Sequence, residues 1–126
     1  MSEYLIALPW PPRELSANSR KDRRHTTGKR AGYKQECWAA TKALNAKISP
    51  DAHLEITFYP PDNRRRDLDN MLSSIKYGLD GVALAANVDD YGWSMSIERG
   101  PKKKGGGVLV HVKPAFVVMP IIGTIS

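Results

Sequence analysis

Hydrophobic and polar positions alternate in three stretches of this chain, form one short apolar run near its start, and recur at helical spacing in two others. Residues 4–8 are the apolar run, which stops at Pro9 and reads as a strand. Pro9, Pro11 and Pro12 cannot continue it, because each fixes φ and removes a backbone donor. Residues 13–32 are polar and basic without periodicity, which predicts a long loop. From residue 33 to about 47, Trp38, Thr41, Leu44 and Ile48 recur at three and four, the spacing of one helical face. Residues 53–59 place Leu54, Ile56 and Phe58 on one side and Glu55 and Thr57 on the other, a half-buried strand closed by Pro60-Pro61. A second helix is predicted over about 68–79, with Leu68, Leu72, Ile75 and Leu79 as its core stripe and Gly81 as its stop. Trp93, Met95 and Ile97 alternate with polar residues, as do Val108, Val110 and Val112, and residues 100–107 between them read as a glycine-rich hairpin loop. The order predicts an α/β (α+β) fold in a single domain over residues 1–126: a four-stranded mixed sheet with two main helices packed on one face.

Composition narrows the class. The chain has 126 residues, 41% hydrophobic and 25% charged, which suits one globular domain. The longest apolar-rich stretch, in the tail over residues 114–126, is interrupted by Pro120 and Gly123 and falls short of the ~20 residues of a membrane span. That tail is expected to pack or to join a dimer surface. No basic start followed by an apolar run marks a leader, so a cytoplasmic protein is expected, with no membrane partner. Cys37 is the lone cysteine, which excludes an internal disulfide framework and a multi-cysteine zinc site.

Charge supplies the first functional clue. Lysine and arginine total 19 against 13 acids, a formal net charge of +6. The excess is concentrated. Arg13, Arg20, Lys21, Arg23, Arg24, Lys29, Arg30 and Lys34 lie close together with only Glu14 and Asp22 among them. Arg64, Arg65 and Arg66 form a second run, and Lys102, Lys103 and Lys104 a third. Like charges this close repel unless an anion neutralises them, and a polyphosphate backbone is a common partner. Arg20, Lys21, Arg23, Arg24, Lys29 and Arg30 with the two later runs are therefore the candidate DNA-binding residues.

Within this basic protein the acids are grouped. Asp67 and Asp69 sit two apart between a strand and a helix, where extended backbone points both side chains the same way. Asp89 and Asp90 stand just before the third strand. Carboxylates drawn from two element boundaries can make an oxygen-rich site for a hard divalent cation such as Mg²⁺. Phosphodiester hydrolysis needs an activated water and relief of charge on the phosphorus oxygens, and such a cation supplies both. The plainer readings are that Asp69 caps the second helix, that Asp67 pairs with Arg64 or Arg65, and that Asp89 and Asp90 are turn residues.

Three segments resemble the RusA family of Holliday-junction resolvases, particularly its phage and prophage members. They are Leu8-Pro9-Trp10-Pro11-Pro12 after the first strand, Arg64-Arg65-Arg66-Asp67-Leu68-Asp69-Asn70, and Val88-Asp89-Asp90. The resemblance covers nearly the whole chain. It implies a homodimeric endodeoxyribonuclease of bacterial, phage or prophage origin that cuts four-way and other branched DNA by paired nicks in recombination and repair. Mg²⁺ would be its ion, with Mn²⁺ as a substitute and no small-molecule cofactor. The implied metal ligands and catalytic acids are Asp67, Asp69 and Asp90, with Asp89 in reserve. Many members carry a lysine three residues after the motif's asparagine, where this chain has Ser73. Lys76 is expected to replace it as a catalytic cation, since seven helical residues separate it from Asp69 on nearly the same azimuth.

Two other functions fit the same residues. A non-catalytic nucleic-acid-binding module would use the aspartates as caps and ion-pair partners, and a metal nuclease of another class would cut without preference for four-way junctions. His25, His53 and His111 have no metal-pair spacing, and Cys37 reads as a packed thiol. Trp10 reads as a core or interface residue ahead of a base-stacking one, and Gly105 to Gly107 lack the following helix of a phosphate cradle.

Overall fold

The computed structural model describes residues 3–16 and 23–114. The order is β1 (Tyr4–Leu8), a 3-10 turn (Arg13–Leu15), α1 (Arg23–Ala43), β2 (His53–Tyr59), α2 (Leu68–Ser74), α3 (Lys76–Ala86), a second 3-10 turn (Asp90–Gly92), β3 (Ser94–Arg99) and β4 (Gly107–Lys113). The four strands form one mixed sheet in the order β1-β4-β2-β3. β4 runs antiparallel to both β1 and β2, while β2 and β3 are parallel.

Alternation sets the core. Ile6, Leu8, Leu54, Ile56, Phe58, Val108, Val110 and Val112 are all buried, and the strand registers put them on one side of the sheet. The helices contribute Tyr33, Cys37, Met71, Ile75, Leu79 and Val82 to the same core. On the other side, His111 lies 3.2 Å from Glu3 and 3.3 Å from Glu55, and Lys113 pairs with Glu55 at 2.9 Å. His53 is buried against Ser94 and Ser96, as a packing histidine.

Four expectations are corrected. The basic stretch over 13–32 is not a loop throughout, because α1 begins at Arg23, ten residues before the helix the periodicity marked, and ends at Ala43. Its first turns show little apolar pattern because they bury little: Thr26 is inside, while Thr27, Gly28 and Lys29 are exposed. Further on, the buried face is Tyr33, Cys37 and Thr41, spaced by four; Trp38 is half-buried and Leu44 is exposed.

The predicted second helix is two. Ser74 Oγ donates to the Asn70 carbonyl at 2.8 Å, and Ile75 N bonds to Leu72 O in the tighter i−3 pattern. Serine back-bonding of this kind bends helices. Ile75, fully buried, sits at the break. The apolar stripe continues across it, which hides the break in the sequence.

Gly81 does not stop the helix. It lies inside α3, where a Cβ would come within 2.2 Å of the Lys34 carbonyl oxygen, so α1 and α3 touch backbone to backbone there. The terminator is Asn87, left-handed at φ 57°, a conformation that asparagine tolerates better than most residues. Last, residues 100–106 do not close a hairpin. β2 lies between β3 and β4, so the segment crosses the end of β2, held by Gly100 N to Phe58 O and Lys103 N to Pro60 O, both 2.8 Å.

Candidate active site

The candidate residues fall into two groups, toward opposite ends of β3. The first gathers around Trp10. Its indole meets Phe58 edge-on at 6.5 Å, and a Cβ on Gly106 would lie 2.9 Å from it. The Arg66 guanidinium lies over the Trp10 ring at 5.5 Å. Arg66 also donates to Asp62 at 2.8 Å, and Arg64 N donates to the same carboxylate oxygen at 2.9 Å. The Arg66 bond, then the Arg64 amide, holds the Asp62 carboxyl down to about 2. Arg99, the last residue of β3, donates to the Arg66 carbonyl at 2.7 Å. Lys102, Lys103 and Lys104 are exposed on the crossing segment beside this group.

Asp67 and Asp69 follow directly. Asp67 is the residue before α2 and has the extended backbone of an N-cap, but its side chain takes no capping bond. It makes no ion pair with Arg64 or Arg65 among the described residues. Asp69, one residue into the helix, accepts from Asn70 N at 3.0 Å. Both are exposed.

The second group lies before the start of β3. Asp89 is engaged: it accepts from Tyr91 N at 2.9 Å and caps the 3-10 turn. Asp90 is not, and its half-buried carboxyl meets that of Asp80 on α3. Burial raises the Asp80 carboxyl above its usual range; the Asp90 charge and contact raise it further, while Lys34 and Lys76 pull it back. Lys76 and Asp80 are four apart on α3, and Lys34 comes from α1 at the Gly81 crossing.

Lys76 thus belongs to the second group. The shared azimuth with Asp69 is overturned, because the break at Ile75 places the two on different helices. Asp80 was not among the sequence candidates, and Lys34 entered only as the end of the basic run expected to hold phosphates. The only signal for Asp80 was the Lys76–Asp80 spacing.

The first group is tied through Arg99 to the last residue of β3, which is 6 residues long, and the second lies in the turn before its first residue. Accordingly, among the described residues no three acidic, histidine or cysteine side chains gather around a metal position. The donor chemistry nevertheless suits Mg²⁺: carboxylate oxygens at both ends, and a touching carboxyl pair that a cation or proton must relieve. Arg20 and Lys21 lie outside the described residues, as does the tail over 115–126. Arg23 and Arg24 form the first turn of α1, and Lys29 pairs with Glu14 at 3.7 Å. Among the described residues no helix is long and apolar enough to cross a membrane.

Fold and site together define a small α+β domain with carboxylates held inside a basic surface. No family model matches the chain. An uncharacterized protein of Xylella fastidiosa is 38% identical over 90 residues, covering 68% of this chain and 59% of that protein. The crossover junction endodeoxyribonuclease rusA of Enterobacteria phage HK97 is 30% identical over 118 residues, 89% of this chain and 95% of the phage protein. The crossover junction endodeoxyribonuclease RusA of Escherichia coli K12 is 30% identical over 119 residues, 84% and 90% of the two chains. The chain belongs to the RusA family of crossover junction endodeoxyribonucleases.

Proposed function

We propose that the protein is a structure-selective endodeoxyribonuclease that resolves four-way DNA junctions by paired nicks, as a Mg²⁺-dependent homodimer acting in recombination and repair. The observation that carries this reading is how the aspartates are employed. Asp62 and Asp89 are committed to an arginine and to a turn, whereas of the three acids that the family motifs single out Asp67 and Asp90 have no amide or cationic partner among the described residues and Asp69 accepts only from the adjacent Asn70 N.

Asp67, Asp69 and Asp90 would hold the ion, which when bound supplies an activated water and offsets charge on the phosphate oxygens. In one chain Asp67 and Asp69 precede and open α2, while Asp90 lies in the turn before β3. A two-fold dimer can supply Asp67 and Asp69 from one copy and Asp90 from the other, and its two equivalent sites match the two strands to be cut. Arg64 and Arg65 extend from the Trp10–Arg66 end as phosphate contacts, with Lys102, Lys103 and Lys104 beside them. Lys76 supplies positive charge at the Asp80–Asp90 end.

The test is incubation with a synthetic four-way junction beside linear duplex, in Mg²⁺ or in EDTA. Paired nicks in the junction with Mg²⁺ alone are expected. Binding that ignores Mg²⁺ without cleavage would leave a DNA-binding module, and equal cutting of duplex would leave a nuclease of another class.

A further inference from the structure

The basic stretch that looked like a loop is in part a helix, and this changes what its charges can do. Arg30 and Lys34 are four residues apart on α1 and so lie on one face. Two contacts fix that face against α3. The Arg30 guanidinium lies over the Tyr77 ring at 5.0 Å, and the Lys34 carbonyl abuts Gly81. Tyr77 follows Lys76, and Gly81 follows Asp80. The α1 cations therefore run beside Lys76 and Asp80 toward Asp90.

Their bonding is incomplete. Arg30 Nε is buried with no hydrogen-bond partner. Because Nε is buried, it is out of a phosphate's reach, and any contact with DNA falls to the terminal nitrogens of this half-buried guanidinium. Lys34 is exposed and makes no ion pair within 4.0 Å among the described residues, although Asp80 feels its charge.

We propose that Arg30 and Lys34 form a phosphate rail on α1 that seats the DNA backbone beside Asp80 and Asp90. The proposal rests on the nuclease reading and gives it a strand path. DNA would lie along the α1–α3 seam, with a phosphate oxygen accepting from Arg30 and the next phosphate meeting Lys34 and Lys76. The two cations have different parts. Stacked on Tyr77, the guanidinium is pre-oriented, which suits a positioning contact. The lysine is exposed and acts as a point charge.

The experiment measures binding of a synthetic four-way junction in EDTA across a salt series, then single-turnover cleavage of saturated junction in Mg²⁺. Lys34→Gln, Arg30→Gln and the double variant are compared with Lys42→Ala, a substitution at an exposed lysine two turns further along α1, in its last turn. Each rail contact should contribute about 0.9 to the slope of log K against log salt. The double variant should therefore lose about two units of slope, and cleavage should fall at least tenfold in Arg30→Gln, partly restored in Arg30→Lys. Lys42→Ala should match the parent. Lys34 is exposed, so its substitution leaves the core intact, and far-UV circular dichroism checks Arg30→Gln. A double variant with the parent's slope would overturn the rail. A parent that binds with the rail-dependent slope but never cuts would overturn the nuclease reading and leave the rail standing.

Discussion

The two ends of β3 present acids in opposite ways. At one end Asp67 and Asp69 are two apart in sequence, exposed, and preceded by three arginines, of which Arg66 is spent on Asp62 and Trp10. At the other, Asp80 and Asp90 come from a helix and a separate turn, are half-buried, and meet only because α3 packs on that turn. The first group is a local motif that any extended linker of that sequence would display. The second exists only in the folded protein. Solvent screens the first pair, whereas partial burial makes the second pair repel, so the second has the greater electrostatic demand for a cation.

The sharpest break to that contrast is chemical. Asp67→Asn, Asp69→Asn and Asp90→Asn should each lower junction cleavage at least a hundredfold, about 2.7 kcal/mol or more of transition-state stabilisation. Junction binding should persist, because removing a negative charge does not weaken attraction to phosphate. Asp89→Asn should cut within a few-fold of the parent, since its carboxylate is spent on the turn. Full activity in Asp69→Asn would remove the first end from the chemistry, and a dead Asp89→Asn beside an active Asp90→Asn would reverse the assignment at the second.

Next in size is the packing that builds the second end. Gly81→Ala places a methyl against the Lys34 carbonyl and must push α1 from α3. Overpacking of this kind costs roughly 1–3 kcal/mol. Urea unfolding would read it, and an unchanged midpoint would mean that the two helices do not touch as described.

Smaller still is the contribution of the crossing segment. Lys102→Ala, Lys103→Ala and Lys104→Ala together should flatten the salt dependence of junction binding by up to about 2.7 slope units, about 0.9 for each phosphate contact. A slope equal to the parent's would take that segment off the DNA surface.

The smallest effect is silence. Burial pushes the Cys37 thiol up to about 12, only partly offset by its bond to Tyr33, and burial raises the Tyr33 hydroxyl as well. Native protein at pH 8 should therefore leave Cys37 unmodified by iodoacetamide while urea-unfolded protein reacts. Both groups keep their protons in the fold. Their stabilisation is full below the unfolded pKa values near 9 to 10 and is lost as pH rises above them, so thermal melting should drop on the alkaline side.

Much of the architecture was legible because strands announce themselves locally. Leu54, Ile56 and Phe58, or Val108, Val110 and Val112, alternate over a half-buried sheet with little need of context. The helices were read less well, for two physical reasons. The start of α1 buries Thr26 and leaves Thr27, Gly28, Lys29 and Gly32 outside, so it shows no apolar period. The break at Ile75 lies inside an uninterrupted stripe, so the period ran straight through it. The acids of the motif stand out in the sequence, and the resemblance points to Asp90 ahead of Asp89, which the structure commits to the turn. Asp80 was missed because one aspartate on a helix has no pattern. Its partners are Lys34, 46 residues earlier, and Asp90, 10 residues later.

The position of β4 has a further consequence, for the order in which the molecule can be made. β1 pairs with β4 alone, and β4 separates it from β2. While the chain emerges from a ribosome, β1 has no strand to join until Gly107–Lys113 has left the exit tunnel. Its apolar residues Ile6 and Leu8 must wait through the synthesis of about a hundred residues, and the joining of the two outer contacts by one late strand is a long-range step. A chain stopped after Arg99 would hold the helices, both acid groups and the β2–β3 pair yet lack the strand that ties β1 to the rest of the sheet.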